Sequence, residues 1–216
     1  LNSRIMDSTT DPNCQTIASA IARQLGDAIA LNGKASLVVC GGSSPLGVFA
    51  SLAQADINWA AVTITLADDR LVTADSPHSN IWLVRQNLLI DKAANARFLS
   101  LSEIQADQLM PFDVVLLGMG PDGHIASLFP DMMDNADAFS LRAPPQILSP
   151  GAKGDPLLPR ISMNLSMLTN CHALLLLVKG AQKKALIQEV RAEAVAAPQR
   201  YPVGILLAQS KKTVQL

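Results

Sequence analysis

The run Phe112–Pro130 reads FDVVLLGMGPDGHIASLFP. Its Val114-Val115-Leu116-Leu117 core has the length and branching of a buried strand. Gly118, Gly120 and Gly123 then break the chain, with Pro121, Asp122 and His124 among them. Ile125–Phe129 is expected to form one or two helical turns before Pro130 closes them. A strand entering a glycine turn and then a helix start directs backbone N–H groups at one point, where an anion or developing negative charge is stabilised. His124, one of 3 histidines in the chain, stands at the mouth of that turn.

Outward from this run, strands and helices alternate. Ile17, Ile21, Leu25, Ala28 and Ile29 recur at helical spacing and end at the C-cap Asn32-Gly33. Ser36–Cys40 is a short buried strand. In the following Gly41-Gly42-Ser43-Ser44-Pro45, Ser44 suits an N-cap and Pro45 the first position of a helix to about Gln54. Ala61–Ala67 is a strand ending at Asp68-Asp69-Arg70. A loop with His78, Ser79 and Asn80 leads to a helix over Ile81–Ile90, and Arg97–Leu101 is a short strand. Residues 131–160, rich in proline, read as a long loop with one edge strand. Then follow a strand at Ile161–Asn164, a short helix at Ser166–Asn170, a strand at His172–Val178 and an amphipathic helix at Gly180–Ala194. Tyr201–Leu216 is expected to hold a turn and a final edge strand.

This alternation predicts an α/β fold: an open, mainly parallel, doubly wound (Rossmann-like) sheet with helices on both faces. Residues 1–12 read as a flexible lead-in and residues 13–216 as one α/β domain. The opening on Leu1 is expected of a chain trimmed at its start, and the polar N-terminus offers no hydrophobic signal region. Ligands of such sheets bind beyond the carboxyl ends of the strands. Four polar or glycine-rich segments end strands here, at 41–45, 68–70, 118–124 and 179–183, and they are expected to meet on one rim.

Composition narrows the function. With 4% aromatic residues and a formal charge of −1, the chain lacks both a base-stacking platform and a field that attracts nucleic acid or an anionic membrane. An anionic ligand must be held by a few placed Arg and Lys. Cys14, Cys40 and Cys171 make no CxxC pair, so neither a disulfide framework nor a zinc site is indicated, and a reducing, cytoplasmic setting is expected. The apolar runs are too short to cross a bilayer.

Gly118–Gly123 matches GxGxxG after a strand. A dinucleotide fingerprint belongs to the first βα turn, with an acid some twenty residues on at the end of the next strand. Here a proline-rich loop occupies that place, and Pro-Asp-Gly-His suits a tight turn, so no cofactor is expected. Gly41-Gly42-Ser43-Ser44 reads either as a phosphate nest or as a capped tight turn; it is neither a Walker loop nor a GxSxG elbow. Asp68-Asp69-Arg70 reads either as a solvated charge cluster or as a rim site. There Arg grips phosphate as a fork and a carboxylate orients histidine or sugar hydroxyls. His124 at a positive helix terminus is expected to be a neutral base. No two histidines share ligand spacing, so no metal site is expected. Lys183 and Lys184 are either solvated or aimed at the rim.

Together these segments resemble the 6-phosphogluconolactonase family. The likeness is carried, in family order, by Gly41–Pro45 (GGSSP), Asp68-Asp69-Arg70 with Ser79-Asn80, Gly118–Pro130 (GMGPDGHIASLFP), and Pro159–Leu168 (PRISMNLSML) with Lys179–Lys183 (KGAQK). It spans about residues 35–190. The sister family of glucosamine-6-phosphate deaminases shares GxDGHIA but continues into Asn-Glu-Pro, where this chain has Ser127-Leu128-Phe129-Pro130. Departures are modest: Ser44 for a common Thr, Asp69 for the usual Glu, Lys179 for a common Thr, and a weak closing block at Pro202-Val203-Gly204.

The resemblance implies hydrolysis of 6-phosphoglucono-1,5-lactone to 6-phosphogluconate, the second step of the oxidative pentose phosphate pathway. His124 is then the general base for water, and the N–H groups of the glycine turn stabilise the oxyanion. Asp68 orients His124 or the sugar. The phosphate lies against Gly42, Ser43 and Ser44, with Arg70, Arg160 and Lys183 as candidate charge partners. Gly41, Asp69, Asn80, Gly120, Asp122 and Gly123 complete the expected binding set. No metal is required, the partner is a small phosphorylated sugar lactone, and the chain is expected to be a monomer or weak homodimer. Three alternatives stay open at this point: a glucosamine-6-phosphate deaminase or isomerase, a non-enzymatic sugar-phosphate-binding protein, and a nicotinamide oxidoreductase.

Overall fold

The computed structural model describes residues 12–104, 109–193, 200–209 and 214–215. The expected lead-in falls, up to residue 11, outside these. The long first helix, α1 (Pro12–Asn32), buries Ile17, Ile21, Leu25 and Ala28 along one stripe and stops where Gly33 takes φ +73°. It packs on α2 (Leu46–Leu52) and on the neighbouring strands.

Six strands form one parallel sheet in the order β4-β2-β1-β5-β8-β9. They are β1 (Ala35–Val39), β2 (Val62–Leu66), β4 (Arg97–Phe98), β5 (Phe112–Gly118), β8 (Cys171–Leu177) and β9 (Val214–Gln215). β1 is buried throughout, as expected for a parallel strand covered on both faces. Register at the amino end of β1 and β5 is pinned by Asp113, which accepts from the Ser36 N–H and hydroxyl at 2.8 and 3.0 Å. The sheet is the open, doubly wound one that the alternation predicts. Its order reverses between β1 and β5, the switch point at which such sheets open a crevice.

A second, antiparallel sheet stands at that edge, in the order β3-β7-β6: β3 (Asp68–Arg70), β7 (Leu158–Met163) and β6 (Ile147–Lys153). Here the expectation of a long loop with one edge strand is corrected. Residues 131–160 hold the short helix α4 (Ala136–Phe139) and a β6–β7 hairpin, and β7 pairs with β3 so that Arg70 opposes Arg160. Between lie α3 (Asn80–Asn87) and, after β7, α5 (Leu165–Thr169), capped by Ser79 and Asn164. After β8 come α6 (Ala181–Glu193) and α7 (Pro202–Gln209), the latter a helix where only a turn was expected before the edge strand β9. One apolar cluster runs from α1 through the parallel strands to Met163 of β7 and Ile205 of α7. Among the described residues, no helix is long and apolar enough to cross a membrane.

Candidate active site

A cavity of about 300 Å³ opens at the switch point. Gly41, Gly42, Ser43, Ser44, Asp68, Arg70, Asn80, Gly120, His124, Arg160 and Lys183 all line it. The strand-end loops therefore do meet on one rim. Asp69, Asp122 and Gly123 are not among the residues lining it.

The turn after β5 is built differently from the expectation. No helix follows His124. Isolated bridges join Met119 to Ile125 and Ile125 to Leu128, and Ala126 takes φ +49°. Ile125 and Leu128 are fully buried, so the apolar residues are drawn into the core rather than along a helix stripe. No positive helix terminus therefore acts on His124. The Gly120 N–H donates to the His124 carbonyl at 2.9 Å and the Gly123 N–H to the Gly120 carbonyl at 3.1 Å. Both of these amides are thus consumed inside the turn rather than left for an oxyanion.

His124 is oriented by its own turn. Its Nδ1 lies 2.6 Å from Asp122 Oδ1. A carboxylate only accepts, so Nδ1 carries the proton and Nε2 is left as the basic atom. Burial works to raise the Asp122 carboxyl, but the hydrogen bond and charge of His124 outweigh it and hold Asp122 below the usual carboxylate range. The ring needs Gly120 beneath it, because a Cβ there would lie 2.1 Å from His124 Cε1. Phe129 also packs against the imidazole, ring centroids 4.5 Å apart, and Arg160 lies 6.0 Å from the Phe129 centroid.

Asp68 was expected to orient His124 or the sugar, and the first of these roles falls to Asp122 instead. Asp68 Oδ2 accepts from the buried Ser127 hydroxyl at 2.6 Å. Ser127 is held in turn by its N–H to Ser162 Oγ at 3.2 Å. Burial raises the Asp68 carboxyl, and Ser127, Arg70 and Arg160 partly offset that. Asp69 is buried and accepts from the N–H groups of Arg70 (2.7 Å), Asn80 (2.6 Å) and Ile81 (3.3 Å) and from Ser79 Oγ (3.2 Å). Its carboxylate is spent on backbone donors, so it shapes the β3–α3 loop rather than facing ligand. Despite being one methylene shorter than Glu, it spans that loop.

The cations form two walls. Arg160 is anchored through Nε to the Lys153 carbonyl (2.9 Å) and through Nη2 to the Pro156 carbonyl (3.0 Å). Arg70 donates through Nη1 to the His78 carbonyl (2.8 Å) and to Asn80 Oδ1 (3.2 Å), while its buried Nε has no partner among the described residues. Burial, then the repulsion of Arg70, works against the charge on Arg160, and Asp68 and Asp69 support it. Two guanidiniums opposed across a strand pair are unfavourable alone and favourable with an anion between them. On the other wall, burial holds Lys183 below the usual lysine range, with Asp122 pulling it back. Gly42 at φ +83° curls the Ser43-Ser44 loop beside it. Ser44 does not cap α2, whose cap position is Pro45 without a side-chain bond. Gly41 carries no side chain because Asn80 Oδ1 fills that space, 1.9 Å from a Cβ placed there.

Sequence reading missed Phe129, Ser127 and Cys40, and assigned Asp122 to ligand rather than to histidine. The Asp-x-His spacing within one tight turn was the available signal for Asp122. Cys40 lines the cavity, yet burial pushes its thiol up to about 12, so it stays protonated and is no nucleophile. Among the described residues, no group of three or more His, Cys, Asp or Glu is placed to hold a metal.

A chain with this fold has known counterparts. The family described as glucosamine-6-phosphate isomerases/6-phosphogluconolactonase matches residues 8–215, and the chain belongs to it. Similar proteins within that family include 6-phosphogluconolactonases. The chain is 34% identical to the one from Rhizobium meliloti, covering 94% of this chain and 92% of that protein, and 36% identical to the one from Caulobacter vibrioides, covering 92% and 89%. A crystal structure of a 6-phosphogluconolactonase from Shewanella baltica superposes with a TM-score of 0.82 at 36% identity, covering 98% of this chain and 95% of that one.

Proposed function

We propose that this chain hydrolyses 6-phosphoglucono-1,5-lactone to 6-phosphogluconate in the oxidative pentose phosphate pathway, with His124 as general base. The observation that carries the assignment is the Asp122-backed imidazole on the rim of a cavity walled by three cations. His124 Nε2 takes a proton from water as its oxygen attacks the lactone carbonyl. The tetrahedral intermediate collapses with cleavage of the bond to the ring oxygen, which receives that proton from His124. The new carboxylic acid then ionises. Charge building on the carbonyl oxygen is met by the cationic walls, since the Gly120 and Gly123 amides are occupied. Ser43, Ser44 and the curled Gly42 face the phosphate, with Lys183, Arg70 and Arg160 supplying charge. Asp68 and Asn80 take sugar hydroxyls. All of these groups come from one chain, so a monomer suffices.

The test is lactone generated in situ, with the uncatalysed rate subtracted. The wild-type protein accelerates its loss, and His124→Ala is about 10²–10⁴-fold slower, the usual contribution of a positioned base. No acceleration by the wild type overturns the activity, and an unimpaired variant overturns the base.

A further inference from the structure

We infer that Tyr201 is a positioning residue that ties the catalytic turn to the helix carrying Lys183. The inference rests on the lactonase reading above but concerns a residue outside the cavity lining. Tyr201 is the chain's 1 tyrosine. Its side chain packs against Gly123, the residue between Asp122 and His124 in the chain: a Cβ on Gly123 would meet Tyr201 Cβ at 2.9 Å and Cδ1 at 3.2 Å. Two residues on, the Val203 N–H donates to the Gly123 carbonyl at 3.0 Å. The other end of the same side chain reaches α6, where the Tyr201 hydroxyl donates to Glu189 Oε1 at 3.3 Å. Lys183 sits on that helix less than two turns earlier.

The base and one cation thus reach the cavity on elements that a single side chain bridges. Gly123 takes φ +79°, which glycine reaches without strain, and contacts from outside the turn add to the internal hydrogen bonds that hold it. The ring and the Val203 amide provide them, while the hydroxyl sets how far the start of α6 stands from the turn. Losing the ring is therefore expected to disturb the base, and losing the hydroxyl alone to disturb only the cation's placement.

The experiment is steady-state lactone hydrolysis by the full chain with Tyr201→Ala, Tyr201→Phe, Glu189→Ala and the double variant Tyr201→Phe/Glu189→Ala. Tyr201→Ala lowers kcat by about tenfold, in keeping with the cost of sub-ångström misplacement of a catalytic group. Tyr201→Phe and Glu189→Ala each raise KM about threefold with kcat within about twofold, and the double variant is no worse than either alone. Multiplying KM effects in the double variant overturn the bridge. If Tyr201→Ala fails to fold, that cycle still decides. A 3-fluorotyrosine label at this one position adds a direct reading: its ¹⁹F resonance moves when 6-phosphogluconate is added, and an unmoved resonance at saturating product overturns the coupling. A wild-type chain that does not hydrolyse the lactone defeats the function instead, which keeps the two failures apart.

Discussion

Single groups in the site are assigned work by what already occupies them. Asp122 has one acceptor committed to His124 Nδ1, so Asp122→Asn lets the amide present its NH₂ and favours the wrong imidazole tautomer. A fall in kcat of about 10²–10⁴-fold is expected, with KM little changed. Because the Asp122 carboxyl is held below its ordinary range, it stays ionised across neutral pH, and any acid limb of the rate near neutrality is not its titration. Asp68 behaves in the opposite sense. Its folded carboxyl is raised by burial, so folding favours the protonated form, and stability is lost as pH rises from the ordinary carboxylate range through that raised value. Asp68→Asn keeps an oxygen for the Ser127 hydroxyl and removes the buried charge. The variant is expected to melt several degrees above wild type at pH 8, with the gap closing toward pH 4, while activity drops. Thermal unfolding at both pH values checks this, and equal melting points at pH 8 would sink it.

At the scale of elements, the catalytic turn depends on a missing side chain. A methyl at Gly120 would overlap the imidazole, 2.1 Å from Cε1 and 2.2 Å from Nδ1, so the ring must swing off Asp122. Gly120→Ala is expected to lose about 10²-fold in kcat while the protein keeps its fold, measurable as activity lost against an unchanged far-UV spectrum. The same turn shows where reading the sequence stops. The strand Phe112–Gly118 was legible from its Val114–Leu117 core because a buried parallel strand carries a continuous apolar run. Ile125–Phe129 was misread as helix because five residues of mixed polarity carry no usable period. What decides them is tertiary: Ile125 and Leu128 drop into the core and Ser127 turns to Asp68. Likewise the β6–β7 hairpin hides behind its prolines and shows itself through pairing with β3, a contact some ninety residues apart in the chain.

Over the whole molecule, the site belongs to the switch point rather than to any one segment. Its cations come from β3, β7 and α6, its loop from β1 and its base from β5. The rim itself was legible because strand ends in a parallel sheet share one edge. The opposition of Arg70 and Arg160 was not, since it needs the second sheet. A site spread over so many elements exists only when all of them are folded. A ligand bound there therefore stabilises the global native state by RT ln(1 + [L]/Kd), about 2.7 kcal/mol at a hundredfold excess over Kd. For a chain of this size that is a rise in Tm of roughly 5–10 °C. The two opposed guanidiniums and the half-buried Lys183 mark a dianion as the source of most of that energy. 6-Phosphogluconate is accordingly expected to raise Tm by that amount, and gluconate, which has the same hydroxyls and carboxylate without the phosphate, to leave it within about 1 °C at equal concentration. Lys183→Met should shrink the 6-phosphogluconate shift by more than half without lowering the unliganded Tm, because burial already works against its charge. Differential scanning fluorimetry on the four combinations decides it: matching shifts from the two sugar acids would place the recognition in the hydroxyls and carboxylate and remove the cationic walls from the phosphate's account.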